Sequence, residues 1–288
     1  MLSIIVSWRD RKELDRALPP MLSAVRQMGG ELIIVNFSGN AAMLEQLLGR
    51  DRDSLQVVTV EGQRHFNKAA AQNIGAAHAS HPTLFFCDCD IVLDPALVAH
   101  LTGRLAQEPG HVATLAGVRE SELNSRGARH VVSFGYELRI RTADGRQLRI
   151  VDNEEDGESG TRQAPGLLFV RRHDFLAIEG YNSDLHGWGW EDQDMISRLT
   201  LGRALTRLTE GHAIHLSHDD HARIAHYPKV ASRWESRDRM FRKALANYDE
   251  ANFLGSYSSD VEQLMPRCVR HAATGFTATA DCSEPSHA

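Results

Sequence analysis

Two short runs near the start of the chain, Ile4-Ile-Val6 and Glu31-Leu-Ile-Ile-Val-Asn36, are continuously apolar at their centres instead of alternating. A strand covered on both faces reads this way, whereas a half-exposed strand alternates. Between them, residues 10–28 carry charged and apolar positions at roughly helical spacing. The pattern continues with Gln56-Val-Val-Thr-Val60 as a third strand, an alanine-rich helix from Lys68 to His78, and a fourth strand at Thr83-Leu-Phe-Phe-Cys87. Asp94-Pro95 opens a further helix, aspartate serving as cap and proline filling the first helical position. Buried strands joined by helical crossovers predict an α/β fold on a mostly parallel sheet flanked by helices.

The second half reads differently. His130 to Ile150 holds alternating, strand-like stretches joined at Ala143-Asp-Gly-Arg, a hairpin turn. Residues 152–160 hold five acidic residues and two glycines, the composition of a mobile surface loop. Leu167-Leu-Phe-Val170 is another buried strand, followed by a helix over 172–178. A helix is expected to begin near Glu191, a strand to lie at His212-Ala-Ile-His-Leu216, and a last helix to span 231–250. Residues 271–288 are small and polar, the pattern of a poorly ordered tail.

Composition narrows the function classes. The 288 residues carry a formal net charge of -6, so the basic excess of a general nucleic-acid binder is missing. No apolar run approaches the ~20 residues of a membrane span, and the N-terminal residues lack a signal-peptide pattern. Cysteines at 87, 89, 268 and 282 fit neither a zinc pattern nor a disulfide framework and read as free thiols of a reducing cytosol. Between 233 and 243 the last helix carries five basic and two acidic residues, beside Trp234 and Phe241. That makes it a candidate for weak peripheral contact with an anionic inner membrane face, although a solvated helix packing its aromatics on the core is preferred.

Three constellations carry chemistry. Asp88-Cys89-Asp90 follows a strand directly, at the sheet end where open parallel sheets bind ligands. Two carboxylates so placed suit a hard divalent cation bridging the phosphates of a nucleotide, although a solvated acidic turn gives the same letters. Gly187-Trp-Gly-Trp-Glu-Asp-Gln-Asp194 sets tryptophan faces beside three acids at a helix start. It reads either as capping with core tryptophans or as a grip on a sugar with a carboxylate base. Histidines 212, 215, 218, 221 and 226 cluster after a strand, and His215 with His218 has the spacing to supply a metal ligand.

Together these motifs resemble the β-1,4-galactosyltransferase family and related inverting glycosyltransferases of the GT-A fold. Ile4-Ile-Val-Ser-Trp-Arg-Asp-Arg11, Phe66-Asn-Lys-Ala69 with Asn73-Ile-Gly75, Asp88-Cys-Asp90, Pro165-Gly166 through Phe175, Gly180-Tyr181 and Gly187–Asp194 follow that family's motifs in order over about residues 1–220. The resemblance implies a GT-A-type sheet with a smaller acceptor-side β and helical portion. It implies that Arg9, Arg11, Phe66 and Lys68 bind the nucleotide, and that Asp90 ligates Mn²⁺ or Mg²⁺. On the same resemblance Asp88 would support the metal or touch the ribose. Trp188, Trp190 and Glu191 would contact sugar, and Asp192 would be the catalytic base. His215 would complete the metal site, with His218 as the alternative. Trp190 stands in place of a glycine and is expected to crowd the sugar side. Gln193 replaces an acid, and Lys68 replaces an arginine with loss of the forked grip on phosphate. Asp194 is expected to be an ordinary first-turn acid.

The resulting expectation is a cytoplasmic, metal-dependent enzyme moving galactose, N-acetylhexosamine or glucose from a nucleotide diphosphate donor, UDP-linked, to a glycan, lipid-linked or small-molecule acceptor. Residues 1–270 are expected to form one domain, with 1–95 the nucleotide half, 96–230 the acceptor and catalytic half, and 231–270 a helical end. A nucleotidyltransferase would need a glycine-rich basic loop after the first strand, and Ser7-Trp-Arg-Asp-Arg has no glycine. A non-catalytic sugar-binding module would be favoured by loss of the acids, all of which are present.

Overall fold

All seven residues of strand β1 (Leu2–Trp8) are buried. The structure, a computed structural model, describes residues 1–123 and 130–271. Leu2, Ile4, Val6 and Trp8 join one core cluster with helix α1 (Leu14–Met28), while Ile5 joins a second cluster on the opposite face. Having no solvated face, the strand shows no alternation. Strand β2 (Glu31–Phe37) pairs parallel with β1 and, after helix α2 (Ala41–Leu48), β3 (Gln56–Val60) pairs parallel with β2. Helix α3 (Lys68–His78) covers the Ile5 face, and β4 (Thr83–Asp88) returns parallel on the other side of β1. The alanines of α3 have a packing reason, because a Cβ at Gly75 would stand 2.3 Å from Ile5 Cγ2. Only small residues allow that approach.

Strand β5 (Ile91–Val92) and helix α4 (Pro95–Gln107) follow, and Asp94 caps α4 by accepting from the Ala96 N–H at 2.9 Å. Strands β6 (His111–Thr114) and β7 (Gly117–Glu120) precede a hairpin of β8 (Gly135–Arg141) and β9 (Gln147–Asn153). Then come β10 (Thr161–Arg162), β11 (Leu168–Arg171), α5 (Arg172–Ala177), α6 (Glu191–Arg203), β12 (Thr206–Thr209) and β13 (His212–His215). Helices α7 (Asp220–Ile224), α8 (Arg233–Asp249) and α9 (Tyr257–Leu264) and strand β14 (Cys268–His271) end the described chain.

The main sheet has eight strands in the order β12-β6-β11-β4-β1-β2-β3-β14, with β11 and β14 antiparallel to their neighbours. It is the mostly parallel, helix-flanked α/β sheet of the GT-A type. A second sheet, β10-β7-β13-β5, stands beyond the carboxyl end of β4 and carries the histidine segment toward Asp90. A third cluster packs the β8–β9 hairpin on α6 and α8 through Leu148, Ile150, Trp190 and Met240.

Two readings need correction. Asp152 and Asn153 belong to β9, and Asp152 and Glu154 bind Arg237 of α8 at 3.1 and 3.3 Å, so the front of the acidic stretch is built structure and not a free loop. His271 closes β14 against β3, and residues 272–288 of the expected tail lie outside the described residues, as does Cys282. Among the described residues no helix is long and apolar enough to cross a membrane.

Candidate active site

The carboxyl ends of β1 and β4 and the N-termini of α3 and α6 converge on one cavity of about 240 Å³. Its walls bring together the residues to which the family resemblance assigns site roles, Arg9, Arg11, Phe66, Lys68, Asp88, Asp90, Trp188, Trp190, Glu191, Asp192, His215 and His218, whereas His212, His221 and Asp194 do not line it.

One half is a lysine among three acids. Lys68 Nζ, at the start of α3, lies 2.7 Å from Asp192 Oδ2, 2.8 Å from Asp88 Oδ1 and 3.7 Å from Glu191 Oε1. Burial opposes its charge, but the acids overcome that and hold its pKa well above the ordinary value. Burial also raises the pKa of both acids at the start of α6, and Glu191 reaches about 8 with the charge of Asp192 adding to the effect. The shorter contact to Lys68 keeps the negative charge on Asp192 and the proton on Glu191. Oδ1 of Asp192 and Oε2 of Glu191 are buried with no protein partner. Gly166 packs directly on this ion pair, since a Cβ there would stand 2.5 Å from Asp192 Oδ2 and 3.1 Å from Lys68 Nζ.

Glu191 gives a pH prediction for stability. Its folded pKa of about 8 lies above the unfolded value, so its contribution is complete in acid and is lost as pH rises toward 8. Glu191→Gln is therefore expected to flatten the fall in Tm between about pH 5 and 8.5, measured by thermal unfolding across pH. An unchanged pH slope would refute the assignment.

The other half is a three-residue group. One ligand atom each from Asp90, His215 and His218 lie within 4.8 Å of one another. Pairing of β13 with β5 sets His215 opposite Ile91, beside Asp90, and the Leu216 N–H bonds the Asp90 carbonyl at 2.8 Å. Both histidines approach Asp90 Oδ2, at 3.6 and 3.2 Å, so the geometry leaves both within reach of one ion. Arg11 bonds the same oxygen at 3.2 Å. Burial disfavours the Asp90 charge, but His215, His218 and Arg11 reverse this and leave its pKa well below the usual range. Asp90 Oδ1 is buried and unpartnered. Asp88 stands outside this group and faces Lys68.

Around the nucleotide side, Arg9 bonds the carbonyls of Gln63 and Arg64, and Phe66 meets Phe37 and Tyr227 edge-to-face at 6.0 and 5.5 Å. The Phe66 N–H also bonds the His226 carbonyl at 2.8 Å. Tyr227 had no local signal in the sequence. On the opposite wall Trp188 is half-buried under Arg233, whose guanidinium centre lies 5.6 Å from the ring centroid. Trp190 is 5% exposed, packs edge-on against Phe241 at 4.6 Å, and still lines the cavity. At φ 75° its backbone is left-handed, which explains why a glycine fits that position of the motif and marks local strain.

Asp194 is a first-turn acid of α6, as expected, and also a buried ion-pair partner. It is completely buried, bonds Arg198 Nε at 2.7 Å, and accepts from the Tyr248 hydroxyl at 2.8 Å. Breaking a buried pair strands a charge, so Asp194→Asn is expected to cost about 3 kcal/mol in urea unfolding. Turnover per folded molecule should survive. Loss of turnover without loss of stability would place Asp194 in the chemistry.

Residues 7–160, more than half of the chain, match the model described as glycosyl transferase family 2. The chain belongs to glycosyl transferase family 2. Residues 156–219, which hold the α6 motif and both histidines, match a second model described as the N-terminal domain of galactosyltransferase. This family 2 chain is 24% identical over 260 residues to validoxylamine A glucosyltransferase of Streptomyces hygroscopicus subsp. jinggangensis, covering 84% of the chain and 61% of that relative. It thus spans less than two thirds of the relative's length. Among solved structures, it is similar to a mutant Drosophila β-1,4-galactosyltransferase 7 in complex with manganese, UDP-Gal and xylobiose, at 16% identity and TM-score 0.46, over 82% of this chain and 79% of that one. It is also similar to S. aureus TarS, at 12% identity and TM-score 0.49, over 75% of this chain and 60% of that one.

Proposed function

We propose that this family 2 chain is a metal-dependent, inverting glycosyltransferase that moves a hexose or N-acetylhexosamine from a UDP-linked donor onto an acceptor hydroxyl of a glycan, lipid-linked or small-molecule substrate. The observation that carries the reading is one cavity holding both a buried, lysine-paired carboxylate at Asp192 and the Asp90–His215–His218 group.

A divalent cation fits that group. Asp90 Oδ1 lacks a partner, and one carboxylate with two imidazoles is a transition-metal donor set. When bound, the cation supplies charge neutralisation for the departing diphosphate. Arg9, Phe66 and Tyr227 shape the nucleotide end, and Lys68 offers its ammonium to the diphosphate with Asp88 beside it. Trp188 presents a sugar-binding face, protonated Glu191 donates to a sugar oxygen, and Asp192 takes the proton of the attacking hydroxyl. The hydroxyl oxygen bonds to the anomeric carbon as the bond to the diphosphate oxygen breaks on the opposite face, which inverts the centre. Because Mg²⁺ holds to oxygen ligands and water, whereas Mn²⁺, although also oxygen-seeking, tolerates nitrogen donors better, Mn²⁺ should support faster turnover than Mg²⁺ at saturation. Equal rates, read as UDP release from a panel of UDP-sugars, would argue against both histidines as ligands.

We read residues 1–270 as a single transferase unit with the halves given above. The buried free thiols of Cys87 and Cys89 suit a reducing cytoplasm. Membrane contact finds little support: Arg233 and Arg237 pair with Glu154, Arg239 with Glu235 and Arg242 with Asp238, and Lys243 bonds the Asp184 carbonyl. No cosedimentation with anionic vesicles at low salt is expected, and robust binding would revive that role for α8.

A further inference from the structure

Beneath the Asp90 group lies a carboxylate that the proposed mechanism does not use. Glu120, the last residue of β7, is 4% exposed and sits opposite His215 in the β7–β13 pairing. Its Oε2 lies 2.7 Å from His215 Nδ1 and accepts from Ser217 Oγ at 2.9 Å, while Oε1 accepts from Arg162 Nε at 2.7 Å. The Arg162 guanidinium ion-pairs with this carboxylate at 2.7 Å, so the buried group has a cation of its own apart from His215.

The arrangement decides which nitrogen His215 presents. An anion against Nδ1 requires the proton there, leaving the Nε2 lone pair exposed on the side facing Asp90, 3.6 Å from Oδ2. His218 presents Nε2 too, 3.2 Å from Asp90 Oδ2, but its Nδ1 faces the Asp219 carbonyl at 3.2 Å. One imidazole is therefore held by a backbone dipole and the other by a full negative charge, which also makes it the stronger donor.

We propose that Glu120 is a positioning residue of the cation site: it fixes the tautomer and orientation of His215 and raises its affinity for a divalent metal. This rests on the metal-dependent reading above.

The test titrates Mn²⁺ into the metal-free chain and follows the paramagnetic resonance signal of free Mn²⁺. Glu120→Ala is expected to weaken binding about 10- to 100-fold, and Glu120→Gln, which keeps an acceptor oxygen without charge, to weaken it less. At saturating Co²⁺ the visible spectrum of Glu120→Ala should differ from wild type, a change that a purely structural role would not produce. If Glu120→Ala does not fold, Glu120→Gln carries the test. Folded variants that bind Mn²⁺ within about twofold of wild type, with an unchanged Co²⁺ spectrum, would overturn the positioning role. A wild-type chain that retains no Mn²⁺ would instead overturn the metal reading and the proposal with it.

Discussion

Replacing Asp192 by asparagine is expected to lower turnover by roughly 10²- to 10⁴-fold, the range for loss of a positioned general base. The substitution keeps the side chain's shape and removes the only feature the mechanism needs, an oxygen able to take a proton. Nucleotide and metal affinity should change little, because Lys68 retains Asp88 at 2.8 Å and the Asp90 group is separate. Burial raises the Asp192 pKa and Lys68 pulls it back, so the ionised base is lost as pH falls through a value above the ordinary carboxylate range. Lys68→Met removes the opposing positive charge and should move the acid limb of the pH–rate profile to higher pH. The measurement is kcat for UDP release across pH, with UDP affinity by calorimetry as the control. Near-normal kcat in Asp192→Asn beside a dead Glu191→Gln would transfer the base to Glu191.

How much of this was legible in sequence depended on whether the signal was local. The strands β1 to β4 were readable because each is covered on both faces and so appears as a continuous apolar run. β12, Thr206–Thr209, has no buried residue, and only its parallel pairing with β6 makes it a strand. β14 is stabilised by a partner over two hundred residues earlier, so its four letters, Cys-Val-Arg-His, could not announce it. The Asp194 side chain shows the same limit: a first-turn acid is ordinary locally, and its burial follows from Arg198 and from Tyr248 on another helix.

The site followed the same rule. Ordered motifs named its residues, since each short motif sits at the end of one strand or the start of one helix. They could not assign partners. Asp88 and Asp90 stand only one residue apart, yet one faces Lys68 and the other the histidines. Spacing could not choose between His215 and His218, because the return of the chain through Ser217 brings both to one oxygen. Glu120 lay in a polar stretch with nothing to mark it, and only the register of β7 against β13 sets it under His215.

The largest effect is expected at Asp90. Asp90→Ala removes the only carboxylate of the three-residue group, leaving two imidazoles and Arg11 around the gap. Two neutral donors beside a fixed guanidinium make a poor cation site, so Mn²⁺ affinity and all metal-dependent turnover should be lost. Because the Asp90 pKa is lowered in the folded chain, its charge contributes stability above the unfolded pKa, and that contribution disappears as pH falls. Asp90→Ala should therefore be less stable than wild type near neutral pH, with a gap that narrows toward acid, while it still folds on the sheet beneath. UDP binding separates the effects: in wild type Mn²⁺ should tighten it, whereas in Asp90→Ala the affinity should be the same with Mn²⁺ or with chelator. Chelation of wild type should abolish transfer and added Mn²⁺ restore it. Full transfer in excess chelator, or Mn²⁺-stimulated transfer by Asp90→Ala, would show that the charge on the departing diphosphate is met by Arg9, Arg11 and Lys68 without a metal.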